Sequence, residues 1–399
     1  MYEEISNAVV ERLVRRQEKA NERILKEIGK ILGEIGNLTP SKAYTIGQQL
    51  KYGESLEKIV KILSETSKIN EVEIYRMLEE EARKNLDLKK IYFKAKKVDF
   101  IPYSKNAPLK NLVNQIARTT LKSYRNISQT TALTFLDING NKVTRGIGQA
   151  YNQIVDDAIL NVATGKETFY EAMKNQLKTI GQAGVQTLEY EGGYHRRIDS
   201  ALRMNLQDGL NQLAIAQQEL VGEQFGYDAY EITVHSFPAE DHANIQGHIF
   251  DKEEYKKLQD FNYYGDIKDI NGKIYTRSSE EHIRPIGELN CYHYAFTIVK
   301  GVDRPRYSQE ELDRINQENK KGFEYEGKHY SLYEGSQLQR RVELELRRTR
   351  ETKLMAQGHD DDLFNEMKVR ERQLLSKYRD ILKASGLKGR LERARLLTK

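Results

Sequence analysis

Residues 229–250 read Ala229-Tyr-Glu-Ile-Thr-Val-His235-Ser-Phe-Pro-Ala-Glu-Asp-His242-Ala-Asn-Ile-Gln246-Gly247-His248-Ile-Phe250. In the first seven residues, large apolar side chains alternate with the others, which is the period expected of a half-buried β-strand. The nearby Asn271-Gly272 pair separates two short stretches and is typical of a hairpin turn. The centre of the chain is therefore predicted to be a small α+β module inserted among helices.

Most of the remaining chain carries the periodicity of amphipathic helices. Apolar side chains recur mostly at three- and four-residue steps from Ile5 to Ile35, and Gly36-Asn37 can end that helix. Thr39-Pro40-Ser41 predicts the start of the next helix. Two helices are predicted to join around Gly165, and another runs from Ala201 to Leu220. Such apolar stripes favour packing against a core or a partner over a cofactor site.

Glycine and aspartate mark further predicted turns and helix starts. Asn139-Gly140 predicts a turn with short extended flanks, because both residues adopt left-handed backbone geometry at low cost. Asp137 and Asn141 give this turn the alternating oxygens of a calcium loop, but the glycine and glutamate of such a loop are misplaced. A hairpin is predicted around Gly327, and the aspartates after Gly358 are predicted to start a helix rather than to hold a cation.

The last helices are predicted to be charged on all sides. Seventeen Lys and Arg oppose ten Asp and Glu from Ser336 to Lys399, in a chain whose formal net charge is +5. Helices this polar are not expected to hold themselves in a core, so a partner or a coiled-coil contact is predicted. The basic excess suggests contact with a polyanion, and a solvated charged helix is the alternative. The possible DNA-contacting residues are Arg340, Arg341, Arg347, Arg348, Arg370, Arg372, Lys388, Arg390, Arg393 and Arg395.

These patterns predict a mainly α protein with a small α+β module. It comprises an elongated helical N-terminal region, a central strand-containing His/Cys module and charged C-terminal helices. The predicted domains are a helical region at 1–107, a helical region leading into the module at 108–230, the module itself at 231–305 and a basic helical region at 306–399. The connector Ile101-Pro102-Tyr103 supports the first boundary.

Composition narrows the class of protein. Hydrophobic residues make up 38% and charged residues 31% of the 399 residues, with a mean hydropathy of −0.72, which favours helices with much wetted surface over one large core. No apolar run approaches the roughly 20 residues of a membrane span. The single Cys excludes an intrachain disulfide. Neither a secretory signal nor a cofactor motif is predicted.

Rare side chains concentrate near the predicted strand. Five of the eight His and the only Cys lie between His235 and His293. Imidazole and thiolate bind zinc, and a site formed by His242, His248, Cys291 and His293 is one interpretation, although the spacings match no standard zinc finger. A hydrogen-bonded brace that pins the loops of a small domain is preferred. The residues of this brace, or of a metal or active site, are His235, His242, Gln246, Gly247, Asn290, Cys291 and His293.

The same residues also allow a catalytic interpretation. His242 and His293 could act as a general acid and base, and Cys291 could be a nucleophile. The sequence lacks a nucleophile elbow, a phosphate-binding glycine loop and a paired-carboxylate signature. A single Cys is more often simply buried. The chain is therefore predicted not to be an enzyme, with no catalytic residue assigned.

The order of these elements resembles the phage minor capsid protein 2, or portal-associated head morphogenesis, family. A turn at Lys178-Thr-Ile-Gly181 ends a short helix, and an extended segment and a long helix beginning near Tyr194 follow. The His-x-x-x-Gln-Gly element at His242 and the Asn-Cys-x-His element at Asn290 come next, before Gly301-Val-Asp-Arg-Pro305. Family members usually carry an Arg shortly before the residue matching His242, whereas this chain has Ala239-Glu240-Asp241, so that Arg is absent here or moved.

The resemblance implies a virion protein at the portal vertex or capsid interior, present in the host cytoplasm during assembly. Its implied partners are the portal protein and other capsid or scaffold proteins, and its implied role is in head assembly and DNA packaging or delivery. Contact with double-stranded DNA is our added hypothesis from the basic C-terminal segment. A nuclease or toxin-like effector carried in the particle, with the His/Cys module as its active site, is the alternative.

Overall fold

The computed structural model describes residues 2–36, 47–163, 166–187, 195–278, 283–287, 291 and 293–397. Its helices are α1 (Tyr2–Gly36), α2 (Gly47–Leu88), α3 (Lys90–Lys96), α4 (Ala107–Gln129), α5 (Ile147–Ala163), α6 (Phe169–Ala183), α7 (Ile198–Glu223), α8 (Glu240–Ala243), α9 (Lys252–Gln259), α10 (Gln309–Lys321), α11 (Leu332–Ala356) and α12 (Asp361–Ser385). Its strands are β1 (Thr131–Leu136), β2 (Lys142–Gly146), β3 (Gln186–Thr187), β4 (Arg196–Arg197), β5 (Ala229–Ile232), β6 (Ile249–Asp251), β7 (Gly265–Lys268), β8 (Ile274–Arg277), β9 (Ala295–Ile298), β10 (Phe323–Tyr325) and β11 (Lys328–Tyr330).

Helices hold most of the residues that the structure describes, and the strands form a few small antiparallel sheets, which confirms the predicted mainly α protein with a small α+β module. The predicted helix start at Thr39-Pro40-Ser41 and the predicted joint at Gly165 lie outside the described residues. In the part of the chain that the structure describes, no helix is long and apolar enough to cross a bilayer.

Contacts divide the chain into two compact units. Unit 1 comprises Met1–Glu73, Lys122–Arg203 and Leu338–Lys399, and unit 2 comprises Ile74–Leu121 and Met204–Gln337. Each unit combines segments that are distant in the sequence, whereas the predicted domains are consecutive. That four-part division stays a prediction.

Unit 1 contains an antiparallel sheet with the strand order β2-β1-β3-β4. The predicted turn at Asn139-Gly140 is confirmed, because it joins β1 to β2 and Gly140 has a φ of +80°. One carboxylate oxygen of Asp137 accepts the backbone N–H groups of Asn139 and Asn141, each at 2.9 Å. This oxygen therefore serves the turn, as turn chemistry predicts.

The core of unit 1 includes the C-terminal helices. One apolar cluster contains Ile28 of α1, Phe135 of β1, Leu177 of α6, Met355 of α11 and Met367 of α12. The prediction that the C-terminal helices could not hold themselves in a core was therefore wrong. Each C-terminal helix has few apolar residues, but these pack against apolar residues of α1, β1 and α6 and form one core with them.

Two glycines allow α11 to lie close to its neighbours. A Cβ atom on Gly29 of α1 would stand 2.5 Å from the carbonyl oxygen of Met355, and one on Gly181 of α6 would stand 2.6 Å from Cα of Thr352. Larger residues would push these helices apart. The predicted turn at Gly181 was wrong, because this glycine lies inside α6, where helix contact rather than backbone freedom requires it.

Buried charges on α11 are neutralised within unit 1. The guanidinium of Arg347 bonds Glu18 at 2.6 Å, Asp199 at 2.9 Å and Glu351 at 3.1 Å. Arg197 makes a second pair of bonds to Glu351, at 2.5 and 2.9 Å. Two guanidiniums thus share three carboxylates. All five residues are buried, which explains how a helix rich in charge enters a core.

Unit 2 is built around the antiparallel sheet β6-β5-β9. The predicted half-burial of the Ala229–His235 strand was wrong for β5, in which all four residues are buried. Tyr230 and Ile232 lie in the apolar core. On the opposite face Glu231 is 0% exposed and accepts bonds from the backbone and side chain of Arg306.

Two hairpins in unit 2 confirm predicted turns. Asn271-Gly272 joins β7 to β8, with Gly272 at a φ of +89°. Glu326 and Gly327 join β10 to β11, with φ values of +50° and +72°. Consecutive positive φ angles give a two-residue turn the right-handed twist of its strands.

Candidate His/Cys site

Three short elements of unit 2 bring the predicted residues together. His242 lies on the single-turn helix α8, and Cys291 and His293 immediately precede β9. Gln246 and Gly247 form the turn that leads into β6, where Gly247 has a φ of +73°. This left-handed backbone favours glycine, and an added Cβ would also stand 2.4 Å from the end of the Leu312 side chain, which would have to shift.

The centre of the site is a triangle of donor atoms from His242, Cys291 and His293, called the trio below. The two Nδ1 atoms of the histidines are 3.2 Å apart. Sγ of Cys291 is 3.3 Å from Nδ1 of His242 and 3.5 Å from Nδ1 of His293. All three residues are at most 4% exposed. Two imidazole nitrogens and one sulfur are donors that zinc accepts, and they lie close enough together to bind one metal ion.

Hydrogen bonds fix the outer edge of both imidazole rings. Nε2 of His242 is 2.9 Å from the backbone oxygen of Arg284, and Nε2 of His293 is 3.3 Å from Oε1 of Gln246. That amide oxygen also accepts the backbone N–H of His235 at 2.9 Å. The His235 ring packs edge-on against His293, with ring centroids 4.4 Å apart.

Residues that the sequence did not single out complete the surroundings. Nδ2 of Asn211 on α7 donates to the backbone oxygen of Cys291 at 3.2 Å. Asn316 on α10 donates to the backbone oxygen of Ala243 at 2.9 Å. Both come from distant helices, and no local spacing could have identified them. The predicted site residue Asn290 lies outside the described residues.

An arginine side chain, that of Arg284, lies next to the element at His242, although no Arg stands shortly before that element in the sequence. Nε and Nη2 of Arg284 bond both carboxylate oxygens of Asp241, at 2.7 and 2.9 Å. The guanidinium holds the pKa of Asp241 below its usual value against the opposing effect of burial. Asp241 is adjacent to His242, so this ion pair anchors α8 to the segment that supplies the backbone acceptor for His242.

Burial sets the protonation of the trio. Burial lowers the pKa of His242, and it lowers that of His293 to about 2. Burial also raises the pKa of the Cys291 thiol. A cysteine nucleophile acts as a thiolate beside a protonated imidazole. These pKa shifts favour the opposite protonation states, a thiol beside neutral imidazoles. The electrostatics of the protein alone therefore do not favour nucleophilic catalysis at Cys291.

His248 lies in a different contact from the trio. Its Nδ1 bonds Oδ2 of Asp269 at 2.8 Å, and its ring packs against Tyr275. Oδ1 of Asp269 accepts the backbone N–H groups of Asn271 and Lys273, so this aspartate connects the histidine to the β7–β8 turn. The predicted zinc site of His242, His248, Cys291 and His293 was therefore wrong in including His248. This residue lies just before β6 and contacts the β7–β8 hairpin instead.

His248 predicts a pH dependence of stability. Burial lowers its pKa, with Lys273 acting in the same direction, while Asp269 and Asp313 oppose the shift. As the pH falls through about 6.5, this histidine binds a proton in the unfolded chain but not yet in the folded chain. Protonation therefore favours the unfolded state, and the free energy of unfolding is highest above pH 6.5 and decreases below it. We expect the free energy of unfolding to drop between pH 7 and 5, and His248→Gln to remove up to about 1.4 kcal/mol per pH unit of that slope.

His329 supplies the control for this pH dependence. A backbone oxygen and Glu324 raise its pKa on an exposed hairpin, so its contribution has the opposite sign and is lost as the pH rises. We expect His329→Gln to leave the decline in stability toward pH 5 in place. Urea unfolding at a series of pH values measures both variants. An unchanged slope in His248→Gln would contradict the assignment.

The predicted DNA-contacting residues fall into two groups. Arg347 is buried in the ion network of unit 1, so the prediction that it contacts DNA was wrong, because its guanidinium already bonds three carboxylates. Arg348 bonds Glu345, and Arg390 bonds Gln339, and both are half-buried. The exposed residues are Arg340, Arg341, Arg370, Arg372, Lys388, Arg393 and Arg395.

The exposed face of α12 places the predicted Arg372 beside three basic residues that the sequence interpretation missed, Lys368, Arg379 and Lys383. Lys368, Arg372, Arg379 and Lys383 are all exposed, and we call them the α12 basic face. At 3.6 residues per turn they fall within an arc of about 60° and extend about 22 Å along the helix. Their spacing of four, seven and four residues is the signal that could have identified them.

Comparison with known families agrees with the arrangement of elements. A family model described as phage minor capsid protein 2 matches residues 6–383. No curated protein and no solved structure matches the chain. The match extends across both units and includes the helices, the trio and the α12 basic face. The chain therefore belongs to the phage minor capsid protein 2 family, and it is a component of the virion.

Proposed function

We propose that this minor capsid protein works at the portal vertex, where it assists head assembly and the packaging or delivery of DNA. Family membership supports a structural role among other phage proteins. The further step to the portal rests on the resemblance of the His242, Asn290 and Gly301 elements to portal-associated head proteins. The step to DNA rests on the α12 basic face.

The α12 basic face is the observation that carries the DNA contact. Four cations point to solvent from one side of a rigid helix, while nearby charges such as Glu371 are already paired with Arg350 and Lys353. A row of cations about 22 Å long can lie along a phosphate backbone. Contacts of this kind position DNA without reading its sequence, as a packaging protein requires.

DNA binding is expected to depend steeply on salt, and part of that dependence arises from the α12 basic face. The quadruple variant Lys368→Gln, Arg372→Gln, Arg379→Gln and Lys383→Gln removes four candidate phosphate contacts. Each contact contributes about −0.9 to the slope of log Kobs against log salt concentration, so we expect the slope to become less negative by up to about 3.6. Fluorescence anisotropy with mixed-sequence duplexes measures it.

A charge-matched variant separates this face from net charge. Lys84, Lys256, Lys268 and Lys321 are exposed cations of unit 2 that do not share one helix face. Their replacement by Gln lowers the net charge equally, and we expect the slope to change much less. Equal effects in the two variants would show that only total charge matters and would contradict a DNA-binding face.

The portal contact is tested by co-purification with the portal protein of the same genome. We expect stable co-elution on gel filtration after nuclease treatment, which removes any DNA that could bridge the two proteins. The quadruple variant is expected to co-elute as well, because the α12 basic face is assigned to DNA. Separate elution at both low and moderate salt would contradict the portal assignment and leave the DNA assignment standing.

We propose no catalysed reaction for this protein. The raised pKa of Cys291 and the lowered pKa values of His242 and His293 support a structural role for the trio in the protein as described. Plasmid DNA incubated with the purified protein and divalent cations is expected to stay intact. Cleavage that His242→Ala abolishes would favour the virion-carried nuclease instead.

A further inference from the structure

The hydrogen atoms of the trio can be assigned from its neighbours. Nε2 of His242 faces the backbone oxygen of Arg284, which can only accept a hydrogen bond. That nitrogen must therefore carry the ring hydrogen. A neutral imidazole carries one hydrogen on its two ring nitrogens, so Nδ1 of His242 is a bare acceptor.

The neighbours of His293 fix its ring hydrogen in the same way. Its Nε2 faces an atom of Gln246 that also receives the backbone N–H of His235, and a backbone nitrogen can only donate. The receiving atom is therefore the amide oxygen, so Nε2 of His293 must donate to it. With the ring neutral, Nδ1 of His293 is also a bare acceptor.

Two lone pairs consequently face each other in a buried space. The Nδ1 atoms are 3.2 Å apart, and the Cys291 thiol has one hydrogen, which can serve only one of them. Among the described residues, the trio thus places more acceptors than donors at its centre. An acceptor left without a hydrogen in a buried site destabilises the folded protein. A cation at the centre removes this destabilisation.

The distances fit a particular cation. A tetrahedral zinc ion bound at about 2.0–2.1 Å by nitrogen and about 2.3 Å by sulfur separates its ligand atoms by about 3.3–3.6 Å. The three separations in the trio are 3.2, 3.3 and 3.5 Å. We propose that His242, Cys291 and His293 bind one zinc ion, with both histidines ligating through Nδ1.

The surroundings have the features of a metal site. Each ligating imidazole donates its other N–H to an oxygen acceptor, which fixes ring orientation and increases ligand basicity. Asn211 fixes the loop of Cys291, and a solvent molecule can complete four-coordination. Binding converts the thiol to a zinc-bound thiolate and releases its proton to solvent. Zinc thereby ties α8 to the segment before β9, which lies about fifty residues later, and this role is independent of portal and DNA binding.

The first test measures metal in the full-length protein. After expression in zinc-supplemented medium and gel filtration, elemental analysis is expected to give about one zinc per chain. Titration of chelator-treated protein with cobalt(II) is expected to produce the sulfur-to-cobalt charge-transfer band in the near ultraviolet. Wild-type protein with neither bound zinc nor this band overturns the proposal, whatever the variants do.

Variants locate the metal. Cys291→Ser is expected to lose the charge-transfer band, and His242→Ala is expected to lose most of the zinc. His248→Gln is the matched control, because His248 is a buried histidine of the same unit that bonds Asp269 instead. It is expected to retain zinc. Loss of zinc in His248→Gln with retention in His242→Ala overturns the assignment. If a ligand variant fails to fold, the wild-type stoichiometry and cobalt spectrum decide.

Discussion

Arg347→Met is expected to destabilise the protein by about 3–5 kcal/mol, because it leaves buried carboxylates without their shared cation. Methionine keeps much of the length and apolar surface of the side chain, so the loss reports charge rather than packing. Glu18, Asp199 and Glu351 are all at most 7% exposed, and Arg197 alone cannot neutralise them. The urea-unfolding midpoint followed by circular dichroism measures the effect.

Arg341 on the same helix supplies the control. Its side chain is exposed, and a surface substitution of this kind changes stability by less than about 0.5 kcal/mol. We expect Arg341→Met to unfold with the wild-type midpoint. Equal midpoints for the two variants would mean that the buried carboxylates do not need Arg347, and the ion network would not explain how α11 enters the core.

Gly322→Ala is expected to cost about 3 kcal/mol or more, because two penalties coincide at the end of α10. The residue has a φ of +47° and a ψ of −140°, a region that side chains with a Cβ avoid. The added Cβ would also stand 1.8 Å from the backbone oxygen of Tyr330. Since that atom belongs to β11, the hairpin must move away from the helix end.

Gly327→Ala in the same hairpin separates these two penalties. Gly327 has a φ of +72°, but no atom lies within 4 Å of an added Cβ. Only the left-handed backbone is penalised, at about 1–2 kcal/mol. Thermal unfolding of the two variants is expected to place Gly322→Ala well below Gly327→Ala. Matching melting temperatures would contradict the close approach at Tyr330.

Local patterns in the sequence determined the helices and turns. The apolar period from Ile5 to Ile35 predicted α1, and Asn139-Gly140, Asn271-Gly272 and Gly327 predicted three turns that the structure confirms. These features depend on side-chain period and on backbone freedom at single residues. Both are properties of a few neighbouring positions, and the sequence displays them directly.

Burial and partners were decided only by the tertiary structure. The sequence presents Arg347 as one cation among many in a polar helix, and only the approach of α1 and α7 makes it the centre of a buried network. The sequence groups His242, His248, Cys291 and His293 by chemistry alone. In the structure His248 bonds Asp269, whereas the backbone oxygen of Arg284 and the amide oxygen of Gln246 orient the rings of His242 and His293. Both rings thereby direct Nδ1 toward the sulfur of Cys291. Such contacts join residues that are far apart in the sequence, so no local pattern records them.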